Sequence, residues 1–260
     1  MELLGVVVVV FLITFSVRFP WWKPAVNYRH PRILMYHMVN DRALAGPKPN
    51  LAVSPKIFAI HLWWLRINGW SFARLSEVIE SSPRPKTVVL TFDDGYLDNL
   101  TQMLPILRKN NARATVFLIA DRARLFAGGL NDGSPLAPML SDANVRELLS
   151  SGLIELGSHT LNHVRLVDLD KTEKTQQIIT GKNALIEAFD VPVKTFAYPF
   201  GLYDDESLEI VKKAGFIAAV TTQKGISDLG EAPFELSRVK ISGGDYLVNF
   251  PIQVRIGKKR

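Results

Sequence analysis

Five apolar or β-branched residues, Val88 to Phe92, run without a break into Asp93, Asp94 and Gly95. A run that is apolar at every position has no face for water, so it reads as a strand buried on both sides in a parallel sheet. Where helices pack outside such a sheet, the carboxyl ends of the strands form the functional face. Gly95 lets the backbone turn away there without a Cβ clash. Neighbouring strand residues point to opposite sides, which assigns Asp93 and Asp94 different tasks. Taken alone, Asp-Asp-Gly is also a turn that caps a following helix. The rest of the chain decides between these readings.

Other segments repeat the pattern of a short apolar run followed by helical periodicity. Arg32 to Val39 reads as a first buried strand bearing His37 near its end. Ser54-Pro55 opens a helix with a capping hydroxyl and a first-turn proline, and it continues through Trp63 and Trp64 to Gly69. The tryptophans are expected to be packing aromatics. Helical segments follow at Leu75 to Ser81 and, beyond Gly95, at Leu97 to Lys109, where Pro105 begins a second piece or kinks the first. Ala114 to Ala120, Ile154 to Gly157, Lys194 to Tyr198, Phe216 to Thr221 and Leu236 to Ile241 supply further strands. Asp121 to Pro138 reads as a surface excursion. Ser141, Asp170 and Asp204-Asp205 open the intervening helices, the second with capping-box spacing to Glu173 and a reach to about Phe189. About seven strands alternating with helices predict a βα barrel or a doubly wound sheet. With no internal repeat, the simplest division is a single domain over residues 31–260.

Residues 1–20 differ in kind. Leu3 to Val17 is almost wholly apolar, long for a signal-peptide core and short for a full span, and Trp21-Trp22 borders it as interfacial aromatics do. The segment is expected to take the chain out of the cytoplasm, as a signal or a membrane anchor, with residues 21–30 as linker. Glu2 before it and Arg18, Lys23 and Arg29 after it run against the usual charge bias of an exported domain. The formal charge of +6 favours anionic surfaces such as lipid headgroups or acidic wall polymers. Scattered basic residues without an aromatic-basic stripe argue against nucleic acid. The chain has no cysteine, which excludes disulfides, zinc-thiolate sites and thiol nucleophiles, so any metal must be held by His, Asp or Glu.

The chemistry-bearing residues fall at the same end of different strands: His37, then Asp93 and Asp94, then His159 and His163, then Tyr198. In a barrel they converge on one mouth. The His-x-x-x-His spacing places both imidazoles on one face of a helical turn, within reach of one ion. Two imidazoles and a strand-end carboxylate bind a divalent metal and leave positions open for water and substrate.

Thr91-Phe92-Asp93-Asp94-Gly95, Ser158-His159-Thr160-Leu161-Asn162-His163 and Tyr198-Pro199-Phe200-Gly201 together resemble the motifs of the polysaccharide deacetylase family, metal-dependent carbohydrate esterases with a NodB-like domain. The resemblance implies a distorted (β/α)7-type barrel with Asp93 as catalytic base and Asp94, His159 and His163 as ligands of one divalent metal, zinc by first expectation. It also implies an acetyl site lined by Tyr198, Pro199 and Phe200, with the Tyr198 N–H donating to the oxyanion. Two family features are not evident: an arginine near the third motif to orient the base, where only Lys194 stands, and a histidine acid near the C-terminus. Leu34-Met35-Tyr36-His37, Ser54-Pro55-Lys56-Ile57-Phe58 and Asn68-Gly69-Trp70 are similar to the branch that deacetylates biofilm poly-N-acetylglucosamine, which implies His37 as general acid. The expected activity is hydrolysis of N-acetyl groups on an extracellular N-acetylglucosamine-type polysaccharide, in association with a membrane and with exopolysaccharide synthesis or export machinery. Peptidoglycan, chitin-like oligomers and O-acetylated xylan stay open as substrates. So does an inactive polysaccharide-binding subunit.

Overall fold

In the computed structural model, residues 21–41, 49–122, 137–245 and 248–257 are described, with isolated positions between 6 and 17. The predicted apolar run at Arg32 forms β1 (Arg32–Tyr36), stops at His37, and resumes as β2 (Met38–Val39), which pairs with β3 (Ala52–Val53) outside the main sheet. The main sheet continues with β4 (Ser71–Ala73), β5 (Thr87–Asp94), β6 (Ala114–Leu118), β7 (Ile154–Ser158), β8 (Thr195–Ala197), β9 (Ala218–Lys224) and β10 (Leu236–Lys240). Its order is β1-β10-β9-β8-β7-β6-β5, all parallel, and β5 returns to β1, closing a seven-strand barrel. The doubly wound alternative is thereby excluded, because an open sheet has no such return pairing. Below the start of β6, β4 pairs with the first residues of β5, Ser71 opposite Thr87 and Ala73 opposite Val89. At three residues, β4 is too short for periodicity to reveal.

Most of the helices lie outside the barrel. Ser54 caps α1 (Pro55–Ile67) by accepting the Ile57 N–H, as its sequence predicts. There follow α2 (Leu75–Glu80), α3 (Leu104–Asn110) and α4 (Asp142–Ser150). A π-helical turn at Asn99–Met103 precedes α3, so Pro105 does begin a second piece. The segment opened by Asp170 forms α5 (Lys171–Thr175) and α6 (Gly181–Phe189), joined by another π-helical turn, Gln176–Thr180. The described helices end with α7 (Asp205–Lys213) and α8 (Asn249–Ile256).

Two apolar layers hold the barrel. Inside it, Ile33, Val89, Phe117, Ala218 and Leu236 pack together, with Leu75 and Val78 of α2 among them. Gly157 makes room for this layer: a Cβ there would stand 2.4 Å from the Phe117 ring. A larger layer between strands and helices includes Tyr36, Phe58, Phe92 and Phe196. Trp64 packs edge-on against Phe250 at 5.8 Å, whereas Trp63 is 54% exposed, contrary to the packing role expected of both.

Much of the predicted excursion from Asp121 to Pro138 and the terminal Lys258-Lys259-Arg260 lie outside the described residues, as do many positions of the apolar N-terminal segment. No described helix is long and apolar enough to cross a membrane.

Candidate active site

Register brings the mouth residues to one level. Tyr36 stands opposite Phe92 and Asp94 opposite Leu118, which in turn faces Ser158. The next residues along, His37 and His159, therefore emerge beside Asp93 and Asp94. The turn after β7 is not the helical one that His-x-x-x-His spacing predicts. Thr160 and His163 have φ of 68° and 54°, and the Thr160 hydroxyl accepts the His163 N–H at 3.0 Å. Asp94 and Phe200 are also left-handed, at 77° and 60°, so four of the seven such non-glycine residues among those described surround the mouth. Strain concentrated in this way costs stability and persists where packing fixes one geometry.

Asp93 is 2% exposed and held by an arginine that spacing did not reveal. Arg238, fully buried on β10, donates from both terminal nitrogens to the two Asp93 oxygens at 2.7 Å, a bidentate pair. Its other donors reach the Thr221 carbonyl at 2.8 Å and the Thr91 hydroxyl at 3.0 Å. Burial pushes the Asp93 carboxyl up, but the charge and hydrogen bonds of Arg238 prevail and hold it below the usual range. The arginine expected near the third motif thus comes from a different strand, while Lys194 pairs with Glu80. The signal for it was a charged residue at the centre of an apolar run, Leu236 to Ile241, where an unpaired charge would be costly.

Asp94 has the opposite surroundings. Its Oδ1 is buried with no hydrogen-bond partner, while His159 Nε2 and His163 Nε2 each stand 3.4 Å from it. One ligand atom from each residue lies within 4.8 Å of the others. Two atoms each about 2.1 Å from a tetrahedral ion are about 3.4 Å apart, so the spacing suits a zinc-sized cation. His159 Nδ1 donates to the Ala197 carbonyl at 2.7 Å, which leaves its Nε2 lone pair facing Asp94, the usual support for a metal-ligating imidazole. Burial favours neutral His159, yet the Asp94 and Asp93 carboxylates raise its pKa overall. The three residues fit a divalent metal in donor type, separation and orientation.

His37 stands between these groups. Its Nε2 is 3.9 Å from Asp93 Oδ2, and burial lowers its pKa against the pull of both aspartates. The break between β1 and β2 is clamped from the turn after β5: Asn99 Nδ2 donates to the His37 carbonyl at 3.0 Å, and Asp98 Oδ1 accepts the Val39 N–H at 3.1 Å. Asn99 also donates to Asp98 at 3.0 Å, and burial pushes the Asp98 carboxyl up to about 6. Nothing in the sequence singles out either residue, since both follow the Asp-Asp-Gly turn and look like part of a helix start. The other two histidines lie elsewhere: His61 is a core residue bonded to the Tyr36 hydroxyl and the Asp245 carbonyl, and His30 faces Asp228 at 3.8 Å.

Tyr198 corrects an expectation. Its N–H donates to the Val220 carbonyl at 3.2 Å, so it is committed to the sheet and not to an oxyanion. Its ring is fully buried and stacked on Tyr203 at 4.7 Å. Pro199 is buried as well. Phe200 alone of the three reaches the rim, 49% exposed with its ring 4.7 Å from that of His163.

Comparison with known proteins places this geometry. The polysaccharide deacetylase family matches residues 80–219. YxkH of Bacillus subtilis, which carries the name of the same family, is 30% identical over 229 residues, covering 86% of this chain and 75% of that protein. A poly-β-1,6-N-acetyl-D-glucosamine N-deacetylase of Staphylococcus epidermidis is 25% identical over 234 residues, 84% of this chain and 78% of its own. Among solved structures, the deacetylase PplD of Streptococcus pyogenes, in complex with acetate, superposes with a TM-score of 0.73 at 26% identity, covering 88% of this chain and 98% of that one.

Proposed function

This chain belongs to the polysaccharide deacetylase family, and from that premise we propose that it removes N-acetyl groups from an extracytoplasmic N-acetylglucosamine-type polysaccharide, using one divalent metal held by Asp94, His159 and His163. Zinc is the expected ion, because two imidazoles and a carboxylate suit it. The observation that carries the reading is the placement of His37, 3.9 Å from Asp93, beside the three-ligand cluster. Asp93, His37 and the three-residue group thereby share one mouth, which supports reading them as base, acid and ligand set.

A bound divalent ion supplies Lewis acidity, polarising the acetyl carbonyl and bringing the pKa of water to about 7. Asp93 accepts the proton of the attacking water. Two oxygens offer about four acceptor positions, so the bidentate Arg238 contact leaves room for this. Arg238 keeps the base ionised and aimed, at the cost of some basicity. An amide nitrogen leaves poorly unless protonated, and His37 is the group on this side of the mouth able to donate. Phe200 offers an exposed ring at the rim for a sugar face.

The polymer class is inferred from relatives such as the poly-N-acetylglucosamine deacetylase of Staphylococcus epidermidis. Extracytoplasmic placement, membrane association and work beside a synthesis or export machinery rest on the apolar run from Leu3 to Val17 and on Trp21-Trp22. An inactive binding subunit loses its main support once Arg238 supplies the arginine that the third motif lacks.

The test compares substrates. His37→Gln should retain metal and thermal stability, lose about a hundredfold or more on an N-acetylated oligosaccharide, and lose far less on an activated acetyl ester, whose leaving group needs no proton. Equal losses on both substrates in a folded variant would remove His37 as the acid. No acetate release by the metal-loaded wild type from oligomers of β-1,6-linked N-acetylglucosamine would overturn the substrate class.

A further inference from the structure

The face of the barrel opposite the mouth is where strands begin and helices end, and residues 21–30 cross it. Val26 donates its N–H to the Arg255 carbonyl at 2.9 Å, and the buried Arg32 guanidinium donates to the carbonyls of Val26, Asn27 and His30. Tyr28 packs edge-on against Trp70 at 5.6 Å. The linker is therefore fixed to the base from Val26 onward. Four residue steps separate Val26 from Trp22, a reach of at most about 14 Å. Arg255 shortens it further by donating to the carbonyls of Trp21 and Lys23. Trp21 and Trp22 remain 54% and 61% exposed.

The ends of α1 and α3 form, on that face, a depression of about 500 Å³ lined by Arg66, Arg108, Lys109 and Arg113. Arg113 is bridged to Glu77 at 2.7 Å; the other three make no ion pair among the described residues. On α1, Trp63, one turn before Arg66, and Ile67, the residue after it, are 54% and 58% exposed. Cations in a last helical turn offset the helix dipole, which would account for each of them singly. It does not account for two helix ends and the start of β6 converging on one depression next to exposed apolar side chains.

We propose that this base is the membrane-facing surface of the protein. It docks on a bilayer containing anionic phospholipid, with headgroup phosphates at Arg66, Arg108 and Lys109 and with Trp63, Trp21 and Trp22 at the interface, where such rings are enriched. The mouth then opens away from the lipid, toward polymer. Each cation near an anionic surface contributes about fivefold in affinity, so the three together contribute about a hundredfold. The proposal rests on reading the N-terminal segment as a membrane anchor and is independent of the deacetylase chemistry.

The chain has no cysteine, so one dye can be placed at Ser82→Cys, in the base loop between α2 and β5, or at Val167→Cys, beside the mouth. Full-length protein is reconstituted into phosphatidylcholine vesicles, with or without phosphatidylglycerol, that carry an acceptor dye at the headgroups. On anionic vesicles, energy transfer from the base dye should exceed that from the mouth dye by about twofold or more. The excess should fall to the zwitterionic value in the triple variant Arg66→Glu, Arg108→Glu, Lys109→Glu, and at about 0.5 M salt, where the screening length is about 4 Å. Equal transfer from both positions, or base transfer unaffected by charge reversal, would overturn the docking. A chain that partitions into neither vesicle would overturn the anchor reading and the docking with it. Acetate release from the same preparation reports on the deacetylase separately.

Discussion

Asp93 and Asp94 are neighbours on one strand, yet the two sides of the mouth treat them differently. Asp93 has both oxygens occupied by a fully buried guanidinium, so its charge is matched within the chain. Asp94 faces two imidazole nitrogens at 3.4 Å and keeps a buried oxygen without a donor. A buried carboxylate oxygen left unmatched costs about 1–3 kcal/mol or more. One aspartate is thus completed by the fold, and the other belongs to a group of three residues that could hold a metal ion. The pair shows how adjacent identical residues acquire separate chemistry from their partners and from their backbone, Asp94 being left-handed at 77° where Asp93 is not.

The largest effect should come from emptying the incomplete side. A His159→Ala, His163→Ala double variant should lose bound metal and fall in activity by on the order of a thousandfold or more. Metal analysis and acetate release, with chelator-treated wild type as reference, read this. Equal metal content in both proteins would show that Asp94 is not the centre of a metal site.

Asp93→Asn attacks the complete side. It should keep metal and fold while losing roughly 10²–10⁴ in rate, because the amide cannot take the proton. Activity within about threefold of wild type would move the base elsewhere. Arg238→Met tests what completes that side: it leaves a buried, unpaired carboxylate and should cost about 3–5 kcal/mol in urea unfolding. Adding Asp93→Asn should restore part of that loss, and strict additivity of the two changes would mean that the pair is not coupled.

The smallest effect concerns Asp98, which grips the strand after His37. Its carboxyl is raised from 3.8 to about 6 in the folded chain. A carboxyl raised on folding stabilises most below its unfolded pKa and loses that contribution as pH climbs through the folded one. Wild type should therefore lose up to about 3 kcal/mol between about pH 4 and 6 from this group. Asp98→Asn keeps the oxygen that accepts the Val39 N–H and cannot ionise, so its stability should be flatter over that range. Parallel pH profiles for the two proteins would refute the assignment.

How legible this was differs by residue. The βα alternation and most strand positions follow from apolar runs and capping residues, because burial and local hydrogen bonding act over short stretches of chain. That Asp94, His159 and His163 come together was legible too, from their strand-end positions and from the motifs that the chain shares with the family, although the turn proved left-handed rather than helical. Tyr198 misled because a motif position does not say which way an N–H points. In the barrel it points at β9.

The sequence by itself determined which residue types stand at which strand ends, and so the kind of chemistry available at the mouth. Only the tertiary structure decided how the barrel closes, through β5 pairing with β1, and which partner each carboxylate receives. Arg238 lies 145 positions from Asp93, and no local rule links them. Closure carries β10 round to β1, next to β5, and buries a cation that must then find an anion, because an unpaired charge in that interior is too costly to keep. The nearest strand-end carboxylate answers that demand, and its neighbour is left facing His159 and His163.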